Sequence, residues 1–309
     1  MSWTEWSEQE TDRIHAVGQW RAPRDFDGAG PVGMLASNAQ PVVHFASNDY
    51  LGLTQHPAVV AAAHEALDRW GTGAGAARLI VGSRPIHSEL EAALASWKHA
   101  EAAVLFPTGF AANLGVLTTF ADADVLICSD ELNHASIIDG TRLAHADVAI
   151  YPHRDLQALE GLIVKRAGGR KVVIVSDTVF SMDGDVADTA ALVALAGRVD
   201  ALLILDEAHA VLGPDLHPPT NAAVLRVGTL SKTLGALGGF VVGPRILTNL
   251  IVNRARSYIF TTAPTPADSA AALAAVNVVT SSEGDDLRSR LRTNIDQLAE
   301  GHPSPIIPI

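Results

Sequence analysis

In five segments of the sequence, polar side chains capable of chemistry directly follow a short apolar run. In each of them, hydroxyl, imidazole, carboxylate, amine or helix-opening glycine residues begin where the apolar residues stop. The segments are 107–110, 129–134, 177–181, 206–209 and 229–232. Because ligands of open parallel sheets bind beyond the carboxyl ends of the strands, we expect these residues to meet at one edge of a sheet.

Three features of this set have complementary chemical properties. Gly109 and Phe110 open a predicted helix, and the free N–H groups of a first helical turn can hold phosphate without basic side chains. Asp206 ends an apolar run, where a buried carboxylate needs a cation such as a protonated ring nitrogen. Lys232 lies in a loop with Thr, Ser and Gly, where burial would favour a neutral amine that forms a Schiff base with an aldehyde. Pyridoxal 5′-phosphate (PLP) carries all three groups, so these residues predict a PLP enzyme.

Each of these residues also has an ordinary structural interpretation when it is taken alone. His134 would cap a helix or pack in the core, His209 would be a packed histidine, and Asp206 would belong to a structural ion pair. A lysine that follows an aspartate at the ends of adjacent strands favours a functional site instead. Cys128 is interpreted as a small buried hydrophobic residue, and the remaining histidines have no metal-ligand spacing, so no metal is predicted.

The residues of two segments resemble nucleotide-binding motifs. The segment 203–209 resembles the acidic box of a helicase, but the approximate phosphate loop at 228–233 lacks its second glycine and lies downstream. The segment 71–75 resembles a dinucleotide fingerprint, but it follows a predicted helix rather than a strand. Both motifs are therefore in the wrong context for these functions.

The composition indicates a folded protein that does not bind nucleic acid. The 309 residues are 48% hydrophobic and 18% charged, with a mean hydropathy of +0.20, so a large core can form. The formal net charge of −12, from 22 Lys and Arg against 34 Asp and Glu, is unsuited to phosphodiester backbones. One cysteine, no apolar run long enough for a membrane span and no secretory signal pattern lead us to expect a cytoplasmic protein without a membrane partner.

Short apolar segments alternate with segments of helical periodicity over most of the chain. This alternation predicts an α/β fold with a mostly parallel seven-stranded sheet between helices. The predicted strands are 102–106, 124–128, 147–151, 171–176, 201–205, 224–228 and 239–243. The predicted helices include 58–70, 85–97, one that begins at Gly109 with Thr108 as its cap, 267–279 and 285–300.

The sequence divides into three predicted parts. Residues 1–40 are expected to form a short helix and an irregular arm, residues 41–283 a large PLP-binding domain, and residues 284–309 the start of a small C-terminal domain. Residues 303–309 are typical of a first apolar strand, with nothing after Ile309 to pair with it. We therefore expect the small domain to be incomplete and the sequence to be truncated.

Six motifs resemble, in order, those of the α-oxoamine synthase family of fold-type I PLP transferases. They are SNDYLG at 47–52, FPTGFAAN at 106–113, NHAS at 133–136, VFSMDGD at 179–185, DEAH at 206–209 and GTLSK at 228–232. The resemblance implies a homodimer whose active sites lie at the subunit interface, and a decarboxylative condensation of an amino acid with an acyl thioester. It is strongest to members that join L-alanine to a pimeloyl thioester, of CoA or of a carrier protein, in biotin biosynthesis.

The resemblance also implies roles for individual residues. Lys232 would bind PLP as a Schiff base and later move protons at the substrate Cα, Asp206 would pair with the ring nitrogen, and His134 would stack on the ring. His209 would bond the ring hydroxyl, which completes the set of four candidate catalytic residues. Further implied cofactor contacts are Gly109, Phe110, Ser181, Thr229 and Ser231, with Thr261 and Thr262 reaching across the dimer, and implied substrate contacts are Arg21, Asn48 and His134.

Two alternatives remain open at this point. One is an α-oxoamine synthase that uses glycine or serine, because few side chains define the amino-acid pocket. The other is a truncated, inactive chain that only binds PLP, because the Arg-Pro-Pro-Thr stretch that helps the family hold the substrate carboxylate has no counterpart here. The residues alone predict a PLP enzyme, whereas the acyl transfer and the amino acid follow from the resemblance.

Overall fold

The computed structural model of the chain describes residues 1–35, 40–216 and 220–308. Contacts between residues divide the chain into two compact units, Met1–Ser47 and Asn48–Ile309.

The first unit contains one helix and a three-stranded antiparallel sheet. Helix α1, Trp3–Ala16, begins with a capping box in which Ser2 and Glu5 each accept a backbone N–H of the other, at 3.1 and 2.7 Å. The strands are β1 Phe26–Asp27, β2 Val32–Leu35 and β3 Gln40–Val43. The short helix is confirmed, but the prediction of an irregular arm is wrong over these strands. They are short and contain Gly33 and Pro41, which weaken the sequence signal of a strand.

A seven-stranded sheet forms the centre of the second unit. Its strand order is β4-β10-β9-β8-β7-β5-β6, with β5 to β9 parallel and β10 antiparallel to both of its neighbours. The strands are β4 Ala102–Phe106, β5 Val125–Asp130, β6 Asp147–Tyr151, β7 Lys171–Asp177, β8 Leu202–Asp206, β9 Ala223–Thr229 and β10 Gly239–Gly243. The predicted α/β fold with a mostly parallel sheet is confirmed.

Helices cover both faces of this sheet. They are α2 Pro57–Trp70, α3 Pro85–Trp97, α4 Gly109–Phe120, α5 Ala135–Ala144, α6 Leu156–Arg166, α7 Thr189–Arg198, α8 Arg245–Arg254, α9 Arg256–Ile259, α10 Pro266–Val279 and α11 Ser282–Leu298, with a 3₁₀ turn at Leu53–Gln55 and a π turn at Arg78–Gly82. Alternate strand residues pack on opposite faces: Ile127 belongs to the core beneath α4, and Leu126 and Cys128 to the core beneath α6. Because the sheet is buried on both faces, its strands are continuous apolar runs in the sequence.

Cys128 is a free, fully buried residue, as predicted. In the described part of the chain, no helix is both long enough and apolar enough to cross a membrane.

The predicted strand at 303–309 is wrong for the described residues, because 302–308 form no strand, and Ile309 lies outside them. Ser304 is buried instead, and its Oγ donates to the carbonyl of Gly184 at 2.6 Å. Pro303, Pro305 and Pro308 lack the backbone N–H groups that a ladder of hydrogen bonds requires. The division of the second unit at residue 284 stays a prediction.

His87 makes the fold sensitive to acid. Its Nδ1 accepts from the N–H of Arg84 at 2.9 Å and its Nε2 donates to the carbonyl of Pro264 at 2.9 Å, so the buried ring must be neutral. Burial lowers the pKa of His87 to about 4. An unfolded histidine titrates near 6.5, so the unfolded state binds the extra proton between these values and stability is lost as the pH falls.

We therefore expect the free energy of unfolding to be less dependent on pH in His87→Gln than in the wild type. The difference should be about 2 kcal/mol between about pH 7 and about pH 4.5, measured by urea unfolding. His64→Gln, at an exposed position of α2, is the matched control and should keep the wild-type dependence. Equal pH dependence in all three proteins would contradict a neutral buried His87.

Candidate active site

Most of the predicted site residues meet in one cavity at the carboxyl ends of the strands. The cavity has a volume of about 240 Å³. The predicted residues that line it are Gly109, Phe110, His134, Ser181, Asp206, His209, Thr229, Ser231 and Lys232. Three polar residues to which the sequence analysis gave no role also line it, namely Asn113, Ser136 and Asp177.

Four predicted residues lie outside this lining. Thr261 and Thr262 lie between α9 and α10. Asn48 begins the second unit, and its Oδ1 accepts a hydrogen bond from Tyr50 Oη at 3.2 Å. Arg21 is exposed in the first unit, between α1 and β1. The contacts predicted for these four residues with cofactor, substrate or a partner subunit stay predictions.

Lys232 stands at one end of a chain of hydrogen bonds. Its Nζ lies 2.7 Å from His209 Nε2, and His209 Nδ1 lies 2.6 Å from Tyr50 Oη, which donates in turn to Asn48. Because the lysine donates and the tyrosine proton is directed to Asn48, the consistent assignment is a neutral His209 with its proton on Nδ1. Burial and the charge of Lys232 lower the pKa of His209 to about 3, in agreement with a neutral ring. His209 is therefore a hydrogen-bond acceptor for the lysine.

The surroundings of Lys232 lower the pKa of its amine. Burial is the main cause, and the carboxylates of Asp206 and Asp177 oppose it. A lowered pKa increases the fraction of neutral amine, which is the form that attacks an aldehyde. Gly235 allows the tight loop that follows: its φ is +63°, and a Cβ there would lie 2.6 Å from the backbone N of Thr54.

Asp206 is a buried carboxylate whose two oxygens are held by neutral donors. Its Oδ2 accepts from Asn113 Nδ2 at 2.6 Å, and its Oδ1 accepts from the N–H of Ala208 at 2.9 Å. Within the described ranges no basic side chain forms an ion pair with it. A buried carboxylate that has no ion-pair partner among the described residues is suited to a ligand that brings a positive charge, such as a protonated ring nitrogen.

Asn113 connects Asp206 to His134 through Ser136. Its Nδ2 also donates to Ser136 Oγ at 2.9 Å, and Ser136 Oγ lies 2.7 Å from His134 Nδ1. His134 is at the same time the N-cap of α5, because its Nδ1 accepts from the N–H of Ser136 at 3.2 Å. His134 is therefore both the cap of a helix and a residue of the cavity. Asn113 is the only amide side chain in the mostly apolar α4, and this was the sequence signal that could have revealed it.

Asp177 is a second buried carboxylate next to Asp206. The two residues are register partners on the parallel strands β7 and β8. Burial and the charge of Asp206 raise the pKa of Asp177 well above its usual range. The raised pKa favours the protonated form of Asp177 over the ionised form, and Asp177 Oδ2 accepts from the N–H of His134 at 3.2 Å.

Neutral donors gather where α4 begins. Thr108 Oγ1 accepts from the N–H of Ala111 at 3.0 Å, which leaves the N–H groups of Gly109 and Phe110 at the first turn for a ligand. A Cβ on Gly109 would lie 3.2 Å from Cβ of Thr229, so glycine lets α4 approach the end of β9 closely. Thr229 Oγ1 lies 2.7 Å from Ser231 Oγ, which adds hydroxyl groups to this end of the cavity. Such a set suits a phosphate at a helix N-terminus.

The residues present fit PLP. Neutral donors at α4 suit the phosphate, Asp206 suits the ring nitrogen and the amine of Lys232 suits the aldehyde. The cavity is smaller than the roughly 300–1,000 Å³ of sites for drug-sized ligands, which is in keeping with a single substituted ring. Among residues 1–35, 40–216 and 220–308, no group of three or more His, Cys, Asp or Glu could hold a metal ion.

Comparison with protein families and curated proteins gives consistent matches. A family model described as aminotransferase class I and II matches residues 40–302. The chain is 43% identical over 296 residues to the 8-amino-7-oxononanoate synthase of Pelobacter propionicus, covering 93% of this chain and 75% of that protein. It is 42% identical over 290 residues to that of Geobacter sulfurreducens, covering 91% and 74%, and 45% identical over 296 residues to that of Burkholderia cenocepacia, covering 92% and 72%.

Solved structures with the same fold include two related enzymes. Serine palmitoyltransferase from S. paucimobilis, determined with a bound PLP–myriocin aldimine, matches with a TM-score of 0.84 and 27% identity, covering 94% of this chain and 77% of that chain. The 8-amino-7-oxononanoate synthase of Francisella tularensis matches with a TM-score of 0.67 and 26% identity, covering 83% and 75%. The chain thus spans about three quarters of the length of the proteins that it resembles.

Proposed function

The chain belongs to the aminotransferase class I and II family and, within it, to the α-oxoamine synthases, and on this premise we propose the reaction that it catalyses. It condenses L-alanine with a pimeloyl thioester, of CoA or of a carrier protein, to give 8-amino-7-oxononanoate, carbon dioxide and a free thiol in biotin biosynthesis. The observation that carries this proposal is the meeting of Lys232, Asp206, His209 and His134 in one cavity of about 240 Å³. The named relatives supply the substrates.

PLP, when bound, withdraws electrons from the amino-acid Cα and so allows a proton or a carboxylate to leave it. Lys232, which lines the cavity, would hold the cofactor through its amine, and the same amine would be placed to move a proton at the substrate Cα. Asp206 keeps the ring nitrogen protonated, because the ion pair compensates the cost of a buried carboxylate. The N–H groups of Gly109 and Phe110, with the hydroxyl groups of Thr229 and Ser231, bind the phosphate.

His134 and His209 orient the reacting groups. His134 is fixed by Ser136 and by its position at the N-terminus of α5, so its ring presents a constant surface to the cofactor. His209 stays neutral and its Nε2 accepts from Lys232, which orients the amine; with the amine engaged by the cofactor, this nitrogen would instead accept from the ring hydroxyl. Ser181 lines the same cavity beside these groups, as a further hydroxyl for the cofactor.

Tyr50→Phe should reduce turnover by acting through His209. Without the hydroxyl, the Nδ1–H of His209 loses its acceptor, and the ring is no longer held in one tautomer. We expect kcat to fall by up to roughly tenfold with a smaller change in KM, since a hydrogen bond of this kind contributes about 0.5–1.5 kcal/mol. Tyr258→Phe is the control, because Tyr258 packs against Phe106 with ring centroids 5.7 Å apart and does not line the cavity. A kcat equal to that of the wild type would contradict a role for this hydrogen bond.

We propose that the protein acts as a homodimer with Thr261 and Thr262 at the interface. Apolar side chains are exposed in the π turn and at Phe260, which follows α9 and precedes this segment: Leu79, Ile80, Val81 and Phe260 are each between 50% and 74% exposed. The chain just before the π turn and the chain just after Thr262 are joined by the hydrogen bond from the N–H of Ala263 to the carbonyl of Ala76, at 3.0 Å. Clustered exposed apolar residues support a protein interface, and a second copy would bring Thr261 and Thr262 to its partner's phosphate site.

Sedimentation equilibrium tests the dimer. We expect Ile80→Asp to shift the protein towards a monomer and to weaken PLP binding. Val164→Asp, at a position of α6 that is 79% exposed, is the matched control and should change neither property. A monomeric wild-type protein would overturn the proposal.

We also propose that the reaction takes place in the cytoplasm, which the free thiol of Cys128 supports.

A steady-state assay tests the reaction itself. The PLP-loaded protein is given pimeloyl-CoA with L-alanine, glycine or L-serine, and release of the free thiol is followed. We expect kcat/KM for L-alanine to exceed that for glycine by at least about tenfold, the usual discrimination for one methyl group in a pocket. A preference for glycine or serine would contradict the choice of alanine, and PLP retention without thiol release for any amino acid would indicate an inactive PLP-binding chain.

A further inference from the structure

His153 lies outside the cavity lining and is held between two carboxylates. Its Nδ1 lies 2.9 Å from Asp130 Oδ1, and its Nε2 lies 2.7 Å from Asp185 Oδ2. Because ionised carboxylates only accept hydrogen bonds, both ring nitrogens must donate, and the ring is then an imidazolium. The ring also packs edge-on against Phe180, with centroids 4.4 Å apart.

Asp130 organises the loop that leads to His134. This carboxylate ends β5 and is buried, and its Oδ1 accepts from the N–H of Leu132 at 2.9 Å. Its Oδ2 accepts from the N–H of Arg154 at 2.9 Å, so it also joins this loop to the one that follows β6. The loop at 130–133 immediately precedes His134, the N-cap of α5, so its shape sets the position of that ring.

Asp185 closes the loop that carries Ser181. The N–H of Phe180 donates to the carbonyl of Asp185 at 3.0 Å, and Val179 pairs with Val186 in an isolated bridge. Residues 179–186 therefore form a compact loop, and Val179 and Ser181 at its start line the cavity. In the described structure, the side chain of Asp185 contacts a neighbouring loop through two hydrogen bonds. Its Oδ2 lies 2.7 Å from His153 Nε2 and 3.0 Å from Arg154 Nη1.

We propose that His153 is a positioning residue for the cofactor cavity. It joins the loop of His134 to the loop of Ser181, and it thereby fixes the placement of both residues for PLP. This inference rests on the proposed function of the cavity. One ring connects loops at the ends of three strands, β6, β5 and β7, that are neighbours in the sheet.

The charges that face His153 favour the protonated ring. They are the carboxylates of Asp130 and Asp185, the carboxylate of Glu131, which accepts the N–H of His153 at 2.8 Å, and the guanidinium of Arg154. Burial lowers the pKa of His153, but the hydrogen bonds to the two aspartates outweigh it, so the pKa is raised. A group with a raised pKa stabilises the folded arrangement at low pH, and this contribution is lost as the pH rises above about 6.5 and through the folded value.

The test compares PLP binding to apoprotein in the wild type, His153→Phe, His153→Gln and the control His64→Gln. His153→Phe keeps an aromatic ring against Phe180 but has no donors, and we expect its Kd for PLP to rise at least about tenfold. The amide of His153→Gln still donates, so it should recover part of the affinity, and His64→Gln should bind as the wild type does. The wild type should bind PLP more tightly than His153→Gln at low pH, and this difference in Kd should become smaller as the pH rises through the range in which His153 loses its proton.

Hydrogen exchange without PLP provides a second measurement. In His153→Phe, the backbone N–H groups of 130–134 and of 179–186 should exchange at least about tenfold faster than in the wild type, while the strands of the sheet keep their protection. Asp185→Asn, at a partly exposed position, should accelerate exchange in the same two segments if His153→Phe proves unstable.

Unchanged PLP affinity in His153→Phe, or faster exchange spread evenly over the whole sheet, would overturn the positioning role. A wild-type protein that binds no PLP would overturn the proposed function together with this inference. A wild-type protein that binds PLP but transfers no acyl group would overturn the proposed reaction and leave the positioning role to be decided by the variants.

Discussion

Lys232→Ala is expected to abolish covalent retention of PLP and to lower the rate of thiol release at least about 10³-fold. Two functions are lost at once, because Lys232 both holds the cofactor and moves a proton at the substrate Cα, and general acid–base catalysis alone contributes about 10²–10⁴-fold. The readouts are thiol release and the visible absorbance of lysine-bound PLP after gel filtration. Both should disappear, whereas the free energy of unfolding should change little, since within the described residues the side chain of Lys232 forms a hydrogen bond only with His209.

Lys165→Ala is the matched control for this prediction. Lys165 is exposed on α6, so its replacement should leave both absorbance and turnover as in the wild type. A yellow Lys232→Ala protein whose colour survives gel filtration and is removed by borohydride would place the cofactor on another lysine, and the site would then be wrong.

Asp206→Asn is expected to retain PLP but to slow exchange of the Cα proton of L-alanine by about 10–10²-fold. The substitution keeps the size of the side chain and removes the charge that holds the ring nitrogen in its protonated form, and hydrogen bonds to charged groups contribute about 1.5–3 kcal/mol. Exchange of the alanine Cα proton with solvent deuterium, followed by NMR on the PLP-loaded protein, measures this step without the acyl substrate.

Asp177→Asn is the control that separates charge from packing. Asp177 is the register partner of Asp206 and also lines the cavity, but its pKa is raised by burial and by the charge of Asp206, so the amide replaces a carboxyl group that is less inclined to ionise. We expect a much smaller loss of exchange than in Asp206→Asn. Equal losses in the two variants would contradict the assignment of the ring-nitrogen partner to Asp206.

The sheet could be predicted from the sequence because each of its strands is an apolar run bounded by turn residues. Strand β10, for example, was predicted with its observed bounds at 239–243. The small sheet of the first unit was missed because β1 has two residues and because Gly33 and Pro41 interrupt β2 and β3. A strand was predicted at 303–309 from its apolar residues, but its prolines leave too few backbone N–H groups for the hydrogen bonds between strands.

The cavity could be predicted in part, for a related reason. Parallel strands bring their carboxyl ends together, so residues that directly follow them, such as Asp206, were found from position alone. The residues that support them were missed because their contacts depend on the path of the whole chain. Tyr50 and His209 are separated by 159 residues, and Asn113 and Asp206 by 93, and no local pattern links either pair.

The most direct measurement is peptide mapping of the PLP-loaded wild-type protein after borohydride reduction, which makes the bond between cofactor and lysine permanent. We predict one pyridoxyl phosphate group per chain, on the peptide that contains Lys232 and on no other. A modified Lys98, Lys165 or Lys171 with an unmodified Lys232, or no modified lysine at all, would contradict a PLP site built around Lys232 and Asp206.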